Sequence, residues 1–522
     1  MNVATVITRW ADRYPEREAL VCGDRRVSYQ TLERRIERAA RLVDDLGVVK
    51  GDRVALLMDN SIEFLEVYFA LTRLGAWCVP LNTRLTADEL TYFLNHCEAL
   101  AVVYDATYEP TIRGCAERCS ALAHFVCVGG WRWERAVDYD RVMDAGDTGD
   151  DGAHLGQESS GLDDIQAVMY TSGSTSQPKG AMLTNGNWLW NAMAMISTLS
   201  PENLAVNACA VPLFHTAGVQ TNTFPTLVAG GKVVIIPTAG GFDAAVLARA
   251  IEVEKVRFVY MAPTMWAALA KLEDLDSYNF ESLSLPLAAG GVVAGTTVKR
   301  LAEVLNEPLL YAYGLTEAAP LVSVLTRDDA PKHPGSVGKP VVTVDVRTVD
   351  DLSQDVAVGE VGEIIVRGPN VFSGYLNNPE ATALGLRDGW LYTGDLGRFD
   401  NQRALYFVDR KKDMIKSGGQ NVYAAEVEEV LTLHADVMQA AVIGVPDEKW
   451  SEAVTAVVVL RPGSTTGERE LIEHCRARMA SYKKPQRITF VEQMPTLATG
   501  KVDKVTVRRI YTSVLGKGAI DG

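Results

Sequence analysis

The sequence predicts an α/β protein: a large N-terminal domain of parallel-rich sheets covered by helices, followed by a small, mobile α+β C-terminal domain. Three observations carry this. Short apolar runs alternate with stretches of helical period over most of the chain, the pattern of strands that return through helices into a mostly parallel sheet. The alternation breaks at the charge run 407–416, after which short strands and one helix fill about a hundred residues, a normal domain size. At 522 residues the chain is also too long for one hydrophobic core. The expected domains are therefore 1–409 and 410–522, with a hinge near Lys412.

In chain order, Leu32, Ile36, Ala39, Ala40, Val43 and Leu46 recur at helical spacing. Residues 54–58 read as a buried strand and 62–74 as a second helix; 77–81, 87–95 and 101–104 repeat the cycle. From 144 to 164 the chain turns polar, acidic and glycine-rich, a solvated loop before the apolar run Ala167-Val168-Met169. A helix over 185–195 and a strand ending at Phe214-His215 follow, then a strand at 233–236, a helix over 244–252 and a strand at 258–260. The strand 283–287 runs into Ala288-Ala289-Gly290-Gly291, where small side chains let a flat ligand approach the backbone. Beyond the boundary, strands at 440–443, 453–460 and 488–491 accompany a helix over 471–479.

Composition excludes several function classes. The net charge of −15, without a basic block, argues against nucleic acid as a partner. No apolar run approaches the ~20 residues that span a bilayer, and no charged-then-apolar leader opens the chain, so a cytoplasmic protein is expected. Of the eight cysteines, Cys115, Cys119 and Cys127 lie closest together, but without the spacing of a metal site; they read as reduced structural thiols.

Several stretches carry chemistry. Residues 170–180, YTSGSTSQPKG, follow an apolar strand and combine Thr171, Ser172, Gly173, Ser174, Thr175, Ser176 and Lys179. Such a loop offers backbone N–H groups and a cation to phosphate oxygens, without the Gly-Lys-Ser/Thr spacing of the common nucleotide loop. The same composition also serves a plain polar surface loop. The run VPLFHTAGV places Phe214 and His215 at a strand end, where they suit a pocket mouth or a structural hydrogen bond. Tyr313, Gly314, Thr316 and Glu317 bring together an aromatic face, a hydroxyl and a carboxylate, the hard oxygen donors that Mg²⁺ shares with phosphates. Asp395, in a tight turn, can accept both hydroxyls of a ribose. Lys501, on a glycine turn, can carry a cation into a cleft.

Taken in order, these segments make the whole chain resemble the adenylate-forming superfamily, closest in style to acyl-CoA synthetases that activate fatty or aryl acids. The resemblance implies a two-step reaction with ATP, Mg²⁺ and coenzyme A: an acid attacks ATP to give an acyl-adenylate and pyrophosphate, and the acyl group then passes to the thiol. It implies that Thr171, Ser172, Gly173, Ser174, Thr175 and Lys179 handle the β- and γ-phosphates. Tyr313 with Ala289, Gly290 and Gly314 would hold adenine, Thr316 the α-phosphate, Glu317 the Mg²⁺, and Asp395 with Arg410 the ribose. Lys412 would be the hinge, Lys501 the lysine bridging carboxylate and α-phosphate, and Ser417, Gly418 and Gly419 the coenzyme A face.

The acyl pocket implied by the same match contains His215, Val219, Ala288, Leu315, Ala318 and Ala319. Relatives that take α-amino acids carry an aspartate where His215 stands, so an apolar acid without an ammonium group is the expected substrate, with His215 gating the pocket or the thiol path. The alternative is an amide synthetase that hands the same adenylate to an amine or amino acid. A homodimer is compatible with either. The chain departs from the family pattern at Ser176, Ala424 and Lys504.

Overall fold

The computed structural model describes residues 2–145, 160–171, 178–291, 293–447, 449–496 and 502–515, with side chains as far as residue 511. They form the expected mixed α/β architecture in two compact units. The first comprises residues 1–292, 298–346 and 366–392; the second comprises 293–297, 347–365 and 393–522. The expected boundary at 409/410 thus falls inside the second unit. Among the described residues no helix is long and apolar enough to cross a membrane.

Two sheets organise the first unit. One has eight strands, with Arg53–Leu57 next to Trp77–Pro80 on one side and Ala101–Asp105 on the other. Beyond Trp77–Pro80 lie Ile165–Thr171 and its antiparallel partner Lys179–Thr184. The second has nine strands, among them Val206–Cys209, Phe258–Met261, Leu285–Ala289, Leu310–Gly314 and Leu321–Val324. All neighbours in this run are parallel except the last pair. The helix Asn185–Leu199 lays Ala194, Met195 and Leu199 against Phe258, Leu287, Leu310 and Ala312.

The helix Ile62–Leu74 shows why the sequence folds this way locally. Ser61 accepts from Phe64 N at 3.1 Å and Gly75 ends the helix with φ +74°, an N-cap and a left-handed C-cap that satisfy orphan backbone groups. The helix is buried on all sides, yet it carries Glu66 and Arg73. Arg73 pairs with Glu33 at 2.8 Å and Glu37 at 2.7 Å, while Glu66 accepts from Tyr139 at 2.7 Å and pairs with Arg35. Buried charges persist because each has a partner.

Two sequence expectations are corrected. The strand before His215 is Val206–Cys209; Pro212 has no N–H for a ladder, and His215 N closes a turn on Pro212 O at 3.1 Å. Asp395 lies within the strand Trp390–Phe399, paired with Arg410, rather than in a tight turn. Within the charge run 407–416, Asp409 and Asp413 are buried. Asp409 accepts from Arg410 N at 2.7 Å and Ala425 N at 3.1 Å, which is how an acid can sit inside.

The second unit holds a sheet in which Ile415–Ser417, Ser451–Leu460 and Val437–Asp447 lie side by side, with Arg487–Phe490 parallel to Ser451–Leu460. The helix Ala424–Thr432 packs Val427 and Leu431 into its core. All eight cysteines are free thiols. Burial pushes the Cys115 thiol up to about 12 and that of Cys127 to about 11, as expected of structural residues.

Candidate active site

Thr171 and Lys179 form the last pair of the ladder between their two antiparallel strands. Ser172, Gly173, Ser174, Thr175 and Ser176 lie outside the described residues, as does Lys501. The base of the loop is firmly set. Tyr170 bonds His96 Nδ1 through its hydroxyl at 2.7 Å and packs edge-on against Phe93 at 4.7 Å.

Glu317 reaches this base from the other sheet. It sits in the 3₁₀ turn Thr316–Ala318 that follows the strand Leu310–Gly314. Gly314 is required there: a Cβ would lie 2.1 Å from Pro320 O, where Leu315 N donates to that same carbonyl at 3.0 Å. Asn370 fastens the turn by donating to Ala318 O at 2.6 Å and Leu321 O at 3.1 Å, and Phe372 N donates to Glu317 O at 2.9 Å.

The Glu317 carboxylate is held at one oxygen. Oε1 accepts from the Tyr375 hydroxyl at 2.7 Å and from Thr171 Oγ1 at 3.5 Å, while Oε2 has no partner among the described residues. Burial, and then the adjacent Glu317 charge, raises the Tyr375 phenol well above its ordinary value, so it stays a donor. Lys179 Nζ stands 5.2 Å from the centre of the Tyr375 ring, within cation–π range. One cation, one half-free carboxylate and several hydroxyls therefore converge on one place. No group of three or more metal-binding side chains exists among the described residues, so a metal held here needs oxygens from a ligand to complete its shell. That composition fits Mg²⁺ bound together with phosphates.

The segment after Val206–Cys209 borders this cluster. Thr216 Oγ1 lies 3.3 Å from Thr316 Oγ1. His215 is half-buried, and its carbonyl accepts from Gly218 N at 3.0 Å and Val219 N at 3.2 Å as the chain enters the π-helical turn Ala217–Thr223. Gly218 admits no side chain, since a Cβ would meet Pro212 O at 2.2 Å. Asn60, unmarked in the sequence, pins the segment: its amide donates to Val211 O at 2.9 Å and accepts from Leu213 N at 2.7 Å.

Ala289 pairs with Ala312 across the parallel strands, with Gly290 exposed at φ +83° just beyond and Tyr313 one residue past Ala312. Leu315 is partly exposed, whereas Val219, Ala288, Ala318 and Ala319 are fully buried and present no surface to a ligand in this conformation.

In the second unit, Arg410 Nε lies 3.5 Å from Asp395 Oδ1. Lys411 pairs with Asp351 at 2.8 Å and Glu363 at 3.0 Å, and Lys412 follows on the surface, its carbonyl accepting from Arg508 at 3.3 Å. Gly418 and Gly419 both have positive φ, as the two-residue turn between Ile415–Ser417 and Gln420–Val422 demands. Ser417 is buried, and a Cβ on Gly418 would lie 2.9 Å from the Trp450 ring.

Comparison with known proteins matches this chain over most of its length. The AMP-binding enzyme family matches residues 7–376, and the AMP-binding enzyme C-terminal domain matches residues 426–501. A feruloyl-CoA synthase from Amycolatopsis is 39% identical over 507 residues, which cover 96% of this chain and 98% of that protein. The crystal structure of an anthranilate CoA ligase in complex with anthranoyl-AMP superposes with a TM-score of 0.89 at 27% identity, covering 99% of this chain and 98% of the other. An amide bond synthetase from Marinactinospora thermotolerans gives a TM-score of 0.87 at 29% identity, covering 98% of this chain and 99% of the other.

Proposed function

The chain belongs to the AMP-binding enzyme family, and we propose that within it this protein joins an aromatic carboxylic acid to coenzyme A through an acyl-adenylate. The observation that carries the chemistry is the meeting of Glu317 Oε1 with Thr171 and Tyr375 beside Lys179.

In the first half-reaction a carboxylate oxygen of the acid attacks the α-phosphorus of ATP, and the bond from that phosphorus to the pyrophosphate oxygen breaks. Two anions must approach, so the site has to neutralise charge and hold the reactants in line. Lys179, Thr171 and the loop residues Ser172, Gly173, Ser174 and Thr175 bind the departing pyrophosphate. Glu317 presents its free Oε2 for Mg²⁺, with Tyr375 fixing the other oxygen. When bound there, Mg²⁺ supplies the positive charge that offsets the phosphates. Thr316 and Thr216 direct hydroxyls to the α-phosphate, and Tyr313 with Ala289, Gly290 and Gly314 frames adenine. Asp395, beside Arg410, accepts from the ribose hydroxyls, and Lys501 takes the role of bridging the acid and the α-phosphate.

In the second half-reaction the thiol sulfur of coenzyme A attacks the acyl carbonyl, and AMP leaves with the bonding electrons. Lys412 is the pivot that withdraws Lys501 and brings the Ser417–Gly418–Gly419 turn to the adenylate. His215 gates the path of the thiol. His215 offers no carboxylate to an ammonium group, which favours an acid without an α-amine. The resemblance to the feruloyl-CoA synthase favours an aromatic acid and the thiol acceptor.

The likeness to an amide bond synthetase supports a second reading, in which the same adenylate meets an amine. One experiment separates them. The protein is given ATP, Mg²⁺ and a panel of aromatic and aliphatic acids, and products with coenzyme A are compared with products with amines. Thioester from an aromatic acid is expected; amide in the absence of thioester, for every acid activated, would overturn the ligase reading.

A further inference from the structure

His96 ties together three separate pieces of the first unit. It is the last residue of the helix Ala87–His96, which starts with a capping box between Thr86 and Glu89. Its ring bonds the Tyr170 hydroxyl through Nδ1 at 2.7 Å, and its carbonyl accepts from the Asn377 amide at 3.1 Å. Tyr170 immediately precedes Thr171, and Asn377 lies two residues beyond Tyr375. One turn earlier on the same helix, Tyr92 stacks on the His96 ring at 5.5 Å and donates to the carbonyl of Pro178, the residue before Lys179, at 3.4 Å. Thr171 and Lys179, which would meet the phosphates, and Tyr375, which fixes Glu317, each have a near neighbour in sequence fastened to this one helix end.

These ties lie behind the site. Successive side chains of a strand face opposite sides, so Tyr170 turns away from Thr171. Thr171 Oγ1 stands 3.5 Å from Glu317, whereas the Tyr170 ring packs edge-on against Phe93 and His96 at the margin of the core beneath. The strand Gly374–Tyr375 pairs with Lys179–Thr184, and Leu376 N donates to Gly180 O at 2.8 Å, so a shift at His96 reaches both strands. Burial holds the His96 imidazole below its ordinary value and pushes the Tyr170 phenol far above its own, so at neutral pH the bond joins two uncharged groups. Without its partner the half-buried hydroxyl must turn toward water, and the end of the strand moves with it.

Resting on the ligase reading above, we propose that His96 is a positioning residue for adenylation: by holding Tyr170 and Asn377 it sets Thr171 and Lys179 against Glu317 and Tyr375, and so fixes the affinity for ATP and pyrophosphate without contacting either. The groups it positions bind the phosphates in the ground state and in the transition state alike. Its loss therefore raises KM for the phosphate ligands and leaves kcat and the acid largely unaffected.

The test determines KM for ATP, for pyrophosphate and for the best acid of the panel above by pyrophosphate exchange, in the unmodified protein, His96→Phe, Tyr170→Phe, the double variant and His96→Asn. His96→Phe keeps a ring to stack on Tyr92 but no bond to Tyr170. KM for ATP and for pyrophosphate should both rise by about tenfold, the scale of one hydrogen bond lost from a buried group, with kcat and the KM for the acid changed by less than about threefold. Tyr170→Phe should match it, and the double variant should do no more than either, because all three remove one bond. His96→Asn, which keeps a polar atom near the place of Nδ1, should recover most of the affinity. If His96→Phe does not fold, Tyr170→Phe and Tyr92→Phe decide; the latter releases only Pro178 and should raise the two KM values by about two- to threefold. A merely structural role would lower the active fraction and leave every KM in place; that result, or a KM for the acid that rises as much as that for ATP, would overturn the proposal. ATP binding by equilibrium dialysis needs no acid: if the unmodified protein binds ATP but activates no acid, the ligase reading fails, while weaker ATP binding in His96→Phe still judges the role of His96.

Discussion

The hydroxyl of Tyr375 donates to Oε1 of Glu317 at 2.7 Å, joining the edge of the eight-stranded sheet to the turn that follows Leu310–Gly314. Tyr375→Phe removes one charge-assisted hydrogen bond and lets the carboxylate turn. With such bonds contributing about 1.5–3 kcal/mol, the adenylation rate should fall by about 10- to 100-fold and the Mg²⁺ concentration for half-maximal rate should rise. Pyrophosphate exchange measured across a Mg²⁺ titration checks this; an unchanged Mg²⁺ dependence would separate Tyr375 from the metal role of Glu317.

Gly314→Ala should be more damaging than its size suggests. The new Cβ would lie 2.1 Å from Pro320 O, so the Thr316–Ala318 turn must open. A strained backbone costs about 1–3 kcal/mol, and the displaced Glu317 should cost about 100-fold or more in exchange rate. Activity lost along with a lowered unfolding temperature is the expected pair of results; full activity would show that the turn tolerates opening.

Asp105 makes stability depend on pH. Burial, reinforced by Asp59, Glu63 and Asp140, raises its carboxyl from the ordinary 3.8 to about 7, while its Oδ2 accepts from Asp59 N at 2.7 Å. Between about pH 4 and pH 7 the folded chain holds a proton that the unfolded chain has released. This group's contribution therefore falls as pH rises through that window and is constant above it, a loss of about 2–4 kcal/mol. Asp105→Asn keeps an acceptor for Asp59 N and should raise the urea midpoint at pH 8 while flattening its change between pH 5 and pH 8. An unaltered slope would contradict this.

Lys504 pairs with Glu428 at 2.7 Å, the two side chains being 18% and 21% exposed, and Glu428 also accepts from Val442 N at 2.7 Å. Arg508, one helical turn on, pairs with Asp413 at 2.9 Å. Lys504→Met leaves the Glu428 carboxylate without its cation and should destabilise by about 2–4 kcal/mol, with much of it recovered in Lys504→Met/Glu428→Gln. Urea unfolding of the four proteins in this cycle measures the coupling; additive effects would show that the pair contributes nothing.

Much of the fold was legible in the sequence because period and patterning decide it. The strand at 101–104 and the helix over 62–74 are long apolar signals that tertiary context had no reason to override. The misplaced strand at His215 failed because an apolar run with Pro212 in it was read by composition, whereas the missing N–H at Pro212 decides the outcome. Residue types around Thr171, Lys179, Thr316 and Glu317 pointed to one another through the family resemblance, and the structure brings them together. Tyr375 and Asn60 carry no such local mark: each matters through a partner that lies far off in sequence. For Tyr375 the only hint was its place in Ser373-Gly374-Tyr375, where Gly374 adopts φ +132°.

The central claim is that this chain activates an acid by adenylation, and exchange of labelled pyrophosphate into ATP tests it most directly. An aromatic acid should support exchange in the unmodified protein, with AMP and acyl-CoA formed in equal amounts once coenzyme A is added. Lys501→Ala should lower the exchange by about 10²- to 10³-fold, the scale of a lost transition-state donor. Exchange that needs no acid, exchange unchanged in Lys501→Ala, or release of ADP in place of AMP would contradict the account.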